Sequence, residues 1–412
     1  MDRTKPLYAV SIVLLIIFGV LVFSIVSYNK ARGVVKFTSP QEDITVYIDG
    51  EKKGKLPTDI DKIDLGLRTF TFEKEGYKKR SILLDLKPKS QLERIVYLSN
   101  EQLPVKDLYS PDEKLTISTV KEDNIITSTL GRNLISLTPT GKKNWTTETQ
   151  GIILNQPITY KNYLIIDNLI GPFTVYDINT GKLLWTKSST KGNVSPLVID
   201  DNKIWALSDN DTKLSQYSLN GQLIKDITLE ASMVADSFKI EDNGLTFITT
   251  SGDYYYIKDS RQKVVHLSNL KPVKSAKIVD DKVYILYNDG DFRLYSTEGK
   301  LTFSKTVTEL YKSFYFDEYL YLIRKNKFDI CDPETGKILS TQKLHEDINY
   351  FNKINDQLWI GGDWNFLYIF DKDGKFITAR NMRSAVKSVS PLPESDYKLI
   401  TTENGVFKLK LD

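Results

Sequence analysis

Sulfur and imidazole are scarce in this chain. Its 412 residues hold one cysteine, Cys331, and two histidines, His266 and His345. A lone thiol excludes an intramolecular disulfide framework and a four-thiolate zinc site within one chain. Two imidazoles leave little for histidine metal chemistry or a histidine general base. One-sided charge is missing too: 56 Lys and Arg face 53 Asp and Glu, a net +3. Residues 1–32 contribute +3, residues 33–100 carry 13 basic and 11 acidic side chains, and 101–412 carry 39 and 41. Nucleic-acid binding leaves a basic stripe, and none is present. The scarcity of cysteine fits an extracytoplasmic protein as well as a cytosolic one. What is plentiful is 23 Tyr and 18 Phe, among short runs of Ile, Val and Thr. That mix favours strands over helices.

Long apolar runs are also lacking, with one exception. Leu7 to Val26 reads LYAVSIVLLIIFGVLVFSIV, 20 residues without a charge. This is about the length needed to cross a ~30 Å hydrocarbon core as a helix. A cleaved signal peptide has an apolar region of about 7–15 residues, so the longer run reads as an uncleaved anchor. Arg3 and Lys5 precede it and Lys30, Arg32 and Lys36 follow it, a nearly balanced flank. Long domains translocate largely regardless of charge, so the expectation is a short cytoplasmic tail, with the bulk of the chain outside. Residues 1–32 are thus expected to be the tail and transmembrane anchor.

Residues 33–100 read as a small β domain of about five strands. VVKFTSPQEDITVY alternates apolar positions, Asp49-Gly50 marks a tight hairpin turn, and Gly76-Tyr77 closes a strand begun at Gly66. Ser39-Pro40, Val46-Tyr47-Ile48-Asp49-Gly50, Gly54, Pro57, Leu65-Gly66 and Glu75-Gly76-Tyr77 together make this stretch resemble the PEGA domain, a small bacterial and archaeal surface module. Gln41-Glu42-Asp43 stands where that family usually has Glu-Gly-Ala, and Leu56 replaces its Thr. The resemblance implies a β fold without enzymatic activity, often found beside membrane anchors. Lys78-Lys79-Arg80 reads as a solvated strand end, with a wall-polymer contact as the other reading. Residues 99–113, polar with two prolines, read as a linker.

Beyond it a motif recurs. YDINTGKLLW, with Gly181, aligns with copies carrying Gly141, Gly221, Gly299, Gly336 and Gly374, and with a degenerate copy, YYYIKDSRQKVV, whose turn falls at Arg261 or Gln262. A period near 40 residues with several strands per unit is the mark of a β-propeller. Upstream hairpins such as VIDDNKIWAL and KIVDDKVYIL complete four antiparallel strands per unit. Units begin near residues 114, 152, 193, 232, 273, 311 and 347, and an eighth near Ser384 stops after three strands. Residues 103–109 are available to supply its fourth. The expectation is an all-β chain: a PEGA-like domain and an eight-bladed propeller over 101–412, with seven blades as the alternative.

The Gly-Lys turn before an outer-strand Trp is similar to the repeats of pyrroloquinoline-quinone-type propellers. Trp145 and Trp185 match that Trp; Lys225, Phe303, Ser340 and Thr378 depart from it. The resemblance implies that these tryptophans brace neighbouring blades. A quinone dehydrogenase of that fold needs calcium, a catalytic Asp and commonly paired cysteines, whereas Cys331 stands alone. Asp200-Asp201 and Asp280-Asp281 sit where hairpin turns recur, and Asp209-Asn210-Asp211 lacks the Gly and distal Glu of a calcium loop. No enzymatic activity, cofactor or metal is expected. Aromatics are the better lead: Tyr254 and Tyr256 on one strand, and Trp364 in Gly361-Gly362-Asp363-Trp364, a loop where blade packing does not require it. Similar propellers include scaffold subunits of envelope assembly complexes. The resulting expectation is a membrane-anchored extracytoplasmic scaffold that binds a protein or cell-wall polymer. The rivals are a quinone-dependent or hydrolytic enzyme, and a sensor acting through a membrane partner.

Overall fold

The computed structural model describes residues 14–24 and 33–411, apart from 89, 170–171, 189–194, 209, 242–243, 259–260, 268–270, 309, 317 and 394, and apart from the side chains of 61–62, 196 and 310–316. Residues 14–24 are helical, and Leu14, Leu15, Phe18, Leu21 and Phe23 are all more than half exposed. Among the described residues no helix is long and apolar enough to cross a membrane. The rest of the Leu7–Val26 run lies outside them. Beyond this, the chain divides into two units, Met1–Gln102 and Leu103–Asp412.

The strands of the first unit are β1 (Gly33–Thr38), β2 (Thr45–Ile48), β3 (Glu51–Lys55), β4 (Thr58–Ile63), β5 (Gly66–Glu73), β6 (Arg80–Leu86) and β7 (Gln91–Ile95). They form two sheets, ordered β4-β1-β7 and β3-β2-β5-β6. Alternation explains the packing: Val35 and Phe37 on β1, Val46 and Ile48 on β2, and Phe70 and Phe72 on β5 share one core. The Phe37 ring lies 4.9 Å from both Phe70 and Phe72, which joins the two sheets. Asp49 (φ 48°) and Gly50 (φ 89°) make the β2–β3 turn. Seven strands replace the expected five. The two extra, TDIDKI and QLERI, are rich in charged residues and owe their order to pairing with either side of β1, antiparallel for β4 and parallel for β7. Gln41, at a departure from the PEGA pattern, donates to the Leu98 carbonyl (3.0 Å) and accepts from its N–H (2.6 Å). An ionised carboxylate there lacks the donor.

The second unit holds eight four-stranded antiparallel sheets. Seven run sequentially over residues 115–148, 158–187, 195–228, 239–266, 273–306, 310–343 and 348–381. The eighth takes three strands from 386–410 and its fourth from β8 (Val105–Tyr109), which pairs with Gly405–Lys410. Part of the expected linker is therefore a strand. Second strands such as KIWALS and KVYILY are buried along almost their whole length, because they are covered on both faces, unlike a strand with one wet side. Apolar cores lie between successive sheets. Leu164 and Ile166 of the second meet Ile126 and Leu134 of the first, and the Phe328 and Phe370 rings join the sixth to the seventh at 5.3 Å. The eighth sheet packs on the first through Leu399 and Val406 against Leu115 and Ile125.

Candidate binding face of the repeat region

Strand order fixes which side chains share an end of the sheets. With four antiparallel strands, the first-to-second and third-to-fourth turns lie at one end, here the turn end. The second-to-third turns and the links between sheets lie at the other, the link end.

The turn end is built by local chemistry. Asp201 (φ 43°) and Asn202 (φ 59°) form a two-residue hairpin turn, and Asp280 and Asn355 hold left-handed positions in corresponding turns. These acidic pairs serve turns, as their recurrence suggests. At the third-to-fourth turns, Asp177 Oδ1 accepts from the N–H groups of Asn179 (3.1 Å) and Thr180 (2.9 Å) and from the Thr180 hydroxyl (2.8 Å). Asp332 repeats this with Glu334 and Thr335. Gly181 has φ +69°, and a Cβ there would sit 2.5 Å from the Trp145 ring. Trp145 also donates from Nε1 to the Ile178 carbonyl, at 3.1 Å. One sheet further, Trp185 covers Gly221 and donates to the Leu219 carbonyl at 2.8 Å. The two tryptophans thus brace neighbouring sheets. Phe303 covers Gly336 in the same way and Val265 covers Gly299, so the contact needs bulk rather than indole. All six glycine turns carry a register shift. The degenerate copy has none: Lys258 pairs with Arg261 and Ile257 with Gln262. Arg261 and Gln262 are therefore strand residues and not the turn expected of them.

Trp364 stands on the link end. Of the chain's five tryptophans it is the exposed one, at 58%. It lies in the turn between Gln357–Gly362 and Phe366–Asp371. Its backbone is held from both sides. The buried Glu346 carboxylate accepts from the Trp364 N–H, and Asn381 Nδ2 donates to the Trp364 carbonyl at 3.2 Å. Glu346 also accepts from the Tyr368 hydroxyl, which lies 3.0 Å from His345 Nδ1. The His345 ring stands 5.4 Å from Trp364 and 5.1 Å, edge-on, from Phe366. Glu346 has a side chain at 0% exposure, so it positions this loop and does not meet solvent. The result is an exposed indole on a fixed backbone with an aromatic floor. Such an arrangement suits an anchor that fills a partner's pocket at low entropic cost. Glu346, His345 and Asn381 escaped sequence reading because they lie 17–19 positions from Trp364.

Tyr254 and Tyr256 require correction. Their strand, Asp253–Lys258, is covered on both faces by neighbouring sheets. Tyr254 is 6% exposed within the core between the fourth and fifth sheets, and Tyr256 packs against that core and over Gly244. Burial raises the Tyr254 phenol to about 12. Cys331 is buried in the core between the fifth and sixth sheets, and desolvation raises its thiol to about 11. In the strip after Tyr77, Lys79 pairs with Glu73 at 2.5 Å and Arg80 donates to the Tyr97 carbonyl at 3.1 Å, while Lys78 is exposed. Asp211 has its carboxyl pushed up by burial, and Asp209 lies outside the described residues. Among the described residues no three His, Cys, Asp or Glu side chains gather as a metal site.

Comparison with known proteins agrees with both halves. Residues 32–102 match the family model of the PEGA domain. Residues 107–265 match the one described as outer membrane protein assembly factor BamB. No curated protein matches the chain significantly. Among solved structures, BamB from Moraxella catarrhalis is 13% identical over 75% of this chain and 98% of its own, with a TM-score of 0.58. The computationally designed Ika8 protein is 14% identical over 74% and 100%, with a TM-score of 0.61. Saccharomyces cerevisiae Sqt1 is 10% identical over 74% and 98%, with a TM-score of 0.59. At these identities the likeness is one of fold. The chain thus carries a PEGA domain followed by a repeat region of the BamB-like propeller type.

Proposed function

We propose that this chain is a membrane-anchored extracytoplasmic scaffold whose eight sheets are the blades of one propeller, presenting its link end to a protein partner. The observation that carries the reading is Trp364, exposed on a loop whose N–H and carbonyl are both held by side chains. Ordering such a loop in advance lowers what binding must spend on it. The matched family is described as an assembly factor, a role of interaction rather than catalysis. The uncharged run Leu7–Val26 supports the anchor, as do apolar side chains exposed all round the helical residues 14–24, since a helix apolar on every side needs an apolar medium. The test is a membrane-impermeant crosslinker applied to intact cells. The expected adduct joins this chain to an envelope protein. Labelling only after lysis overturns the placement outside, and adducts confined to wall fragments overturn the protein partner.

A further inference from the structure

The first unit has an open groove of about 720 Å³ on the outer side of the β3-β2-β5-β6 sheet. Along β2 the side chains alternate: Val46 and Ile48 enter the core, while Thr45 and Tyr47 are left half-buried in the groove. Thr45 stands between Lys55 on β3 and Glu73 on β5. Asp43, Lys74, Glu75, Tyr77 and Lys79 complete its lining.

The charges balance, three lysines against three carboxylates, and the groove orients most of them. Lys55 reaches Asp43 at 2.7 Å and Lys79 reaches Glu73 at 2.5 Å. Lys74 donates to the Glu42 carbonyl at 2.9 Å and lies 4.8 Å from the centre of the Tyr77 ring. The lysine partners hold the Asp43 and Glu73 carboxyls below their usual ranges, by hydrogen bonding first and by charge second. A polyanion or polycation meets no net opposite charge here. A chain of hydroxyls meets fixed donors and acceptors side by side, with a tyrosine ring to lie against its C–H face.

We propose that this groove binds a neutral oligosaccharide strand, with Tyr47 as the stacking ring and Glu73, Lys55 and Glu75 as hydroxyl partners. It lies within the first unit and is independent of the function proposed for the repeat region.

The experiment uses the full chain in detergent, titrated calorimetrically with chitohexaose and cellohexaose, and in parallel with polygalacturonate and an acidic peptide. Saturable binding of at least one neutral hexasaccharide is expected. It should fall at least tenfold in Tyr47→Ala and also in Glu75→Arg, an exposed-loop change that leaves the core untouched; Tyr47→Phe should largely retain it. Unchanged melting temperatures in the variants confirm that they fold. No binding of either neutral sugar overturns the proposal. So does binding indifferent to both variants, or binding of only the polyanion or the peptide.

Discussion

At the turn end of the repeat sheets, side chains recur in kind. Asp177 and Asp332 cap the same turn, glycines at one position share a left-handed φ, and Trp145, Trp185 and Phe303 cover the next glycine along. At the link end the frame recurs as well, since Glu113 meets the turn of the first sheet as Glu346 meets that of the seventh, but in the seventh sheet Glu346, His345 and Asn381 gather round the exposed Trp364. Both ends are ordered by hydrogen bonds, so order does not separate them. What separates them is where the side chains lead. At the turn end they close on the protein's own backbone. At the link end they hold an indole out to solvent. Repetition here marks what every sheet needs in order to pack, and departure from it marks what one sheet does alone.

The comparison breaks most severely at Gly181. Gly181→Val forces a β-branched residue into φ +69° and places its Cβ 2.5 Å from the Trp145 ring. Backbone strain and overpacking together should destabilise by about 3 kcal/mol or more, measured by urea unfolding. If the midpoint does not move, the covering contact is not part of what joins the first two sheets.

The division also explains what could be read in advance. Turn chemistry is local, so the glycine turns and the Asp-Asn hairpins were legible over a few residues. Pairing at a distance was not. β7 is a charged segment whose place depends on running parallel to β1. Tyr254 looked available because alternation assumes one wet face, and a strand between two sheets has none. Trp364 was legible as an aromatic that no packing rule required. The carboxylate that holds its N–H is 18 residues away, beyond the few residues over which turn chemistry is read.

A smaller effect tests the junction of the eighth sheet with the first. Glu403 lies 2.8 Å from Lys387 and 3.2 Å from Lys114, and hydrogen bonding to Lys387, then Lys114, lowers its carboxyl pKa. A depressed carboxyl adds stability in full above the ordinary glutamate range, and this is lost as pH falls through the lowered folded value. Glu403→Gln should therefore destabilise by about 0.5–1 kcal/mol at neutral pH, a value already discounted for partial exposure. The two proteins should converge under acid. A gap that persists in acid would mean that the side chain's shape, not its charge, holds the junction.

The smallest expected change in stability is at Trp364, and it sharpens the comparison most. Trp364 is 58% exposed, and its ring lies tilted 5.4 Å from that of His345. Trp364→Ala should leave stability within about 0.5 kcal/mol, as surface substitutions do. The backbone bonds to Glu346 and Asn381 survive the change, so the loop keeps its shape. Capture of the partner in the crosslinking experiment should nevertheless fall at least about tenfold, the loss typical of a central aromatic anchor. A variant that is less stable yet captures normally would reverse the assignment: Trp364 would then be one more packing side chain, and the link end would resemble the turn end after all.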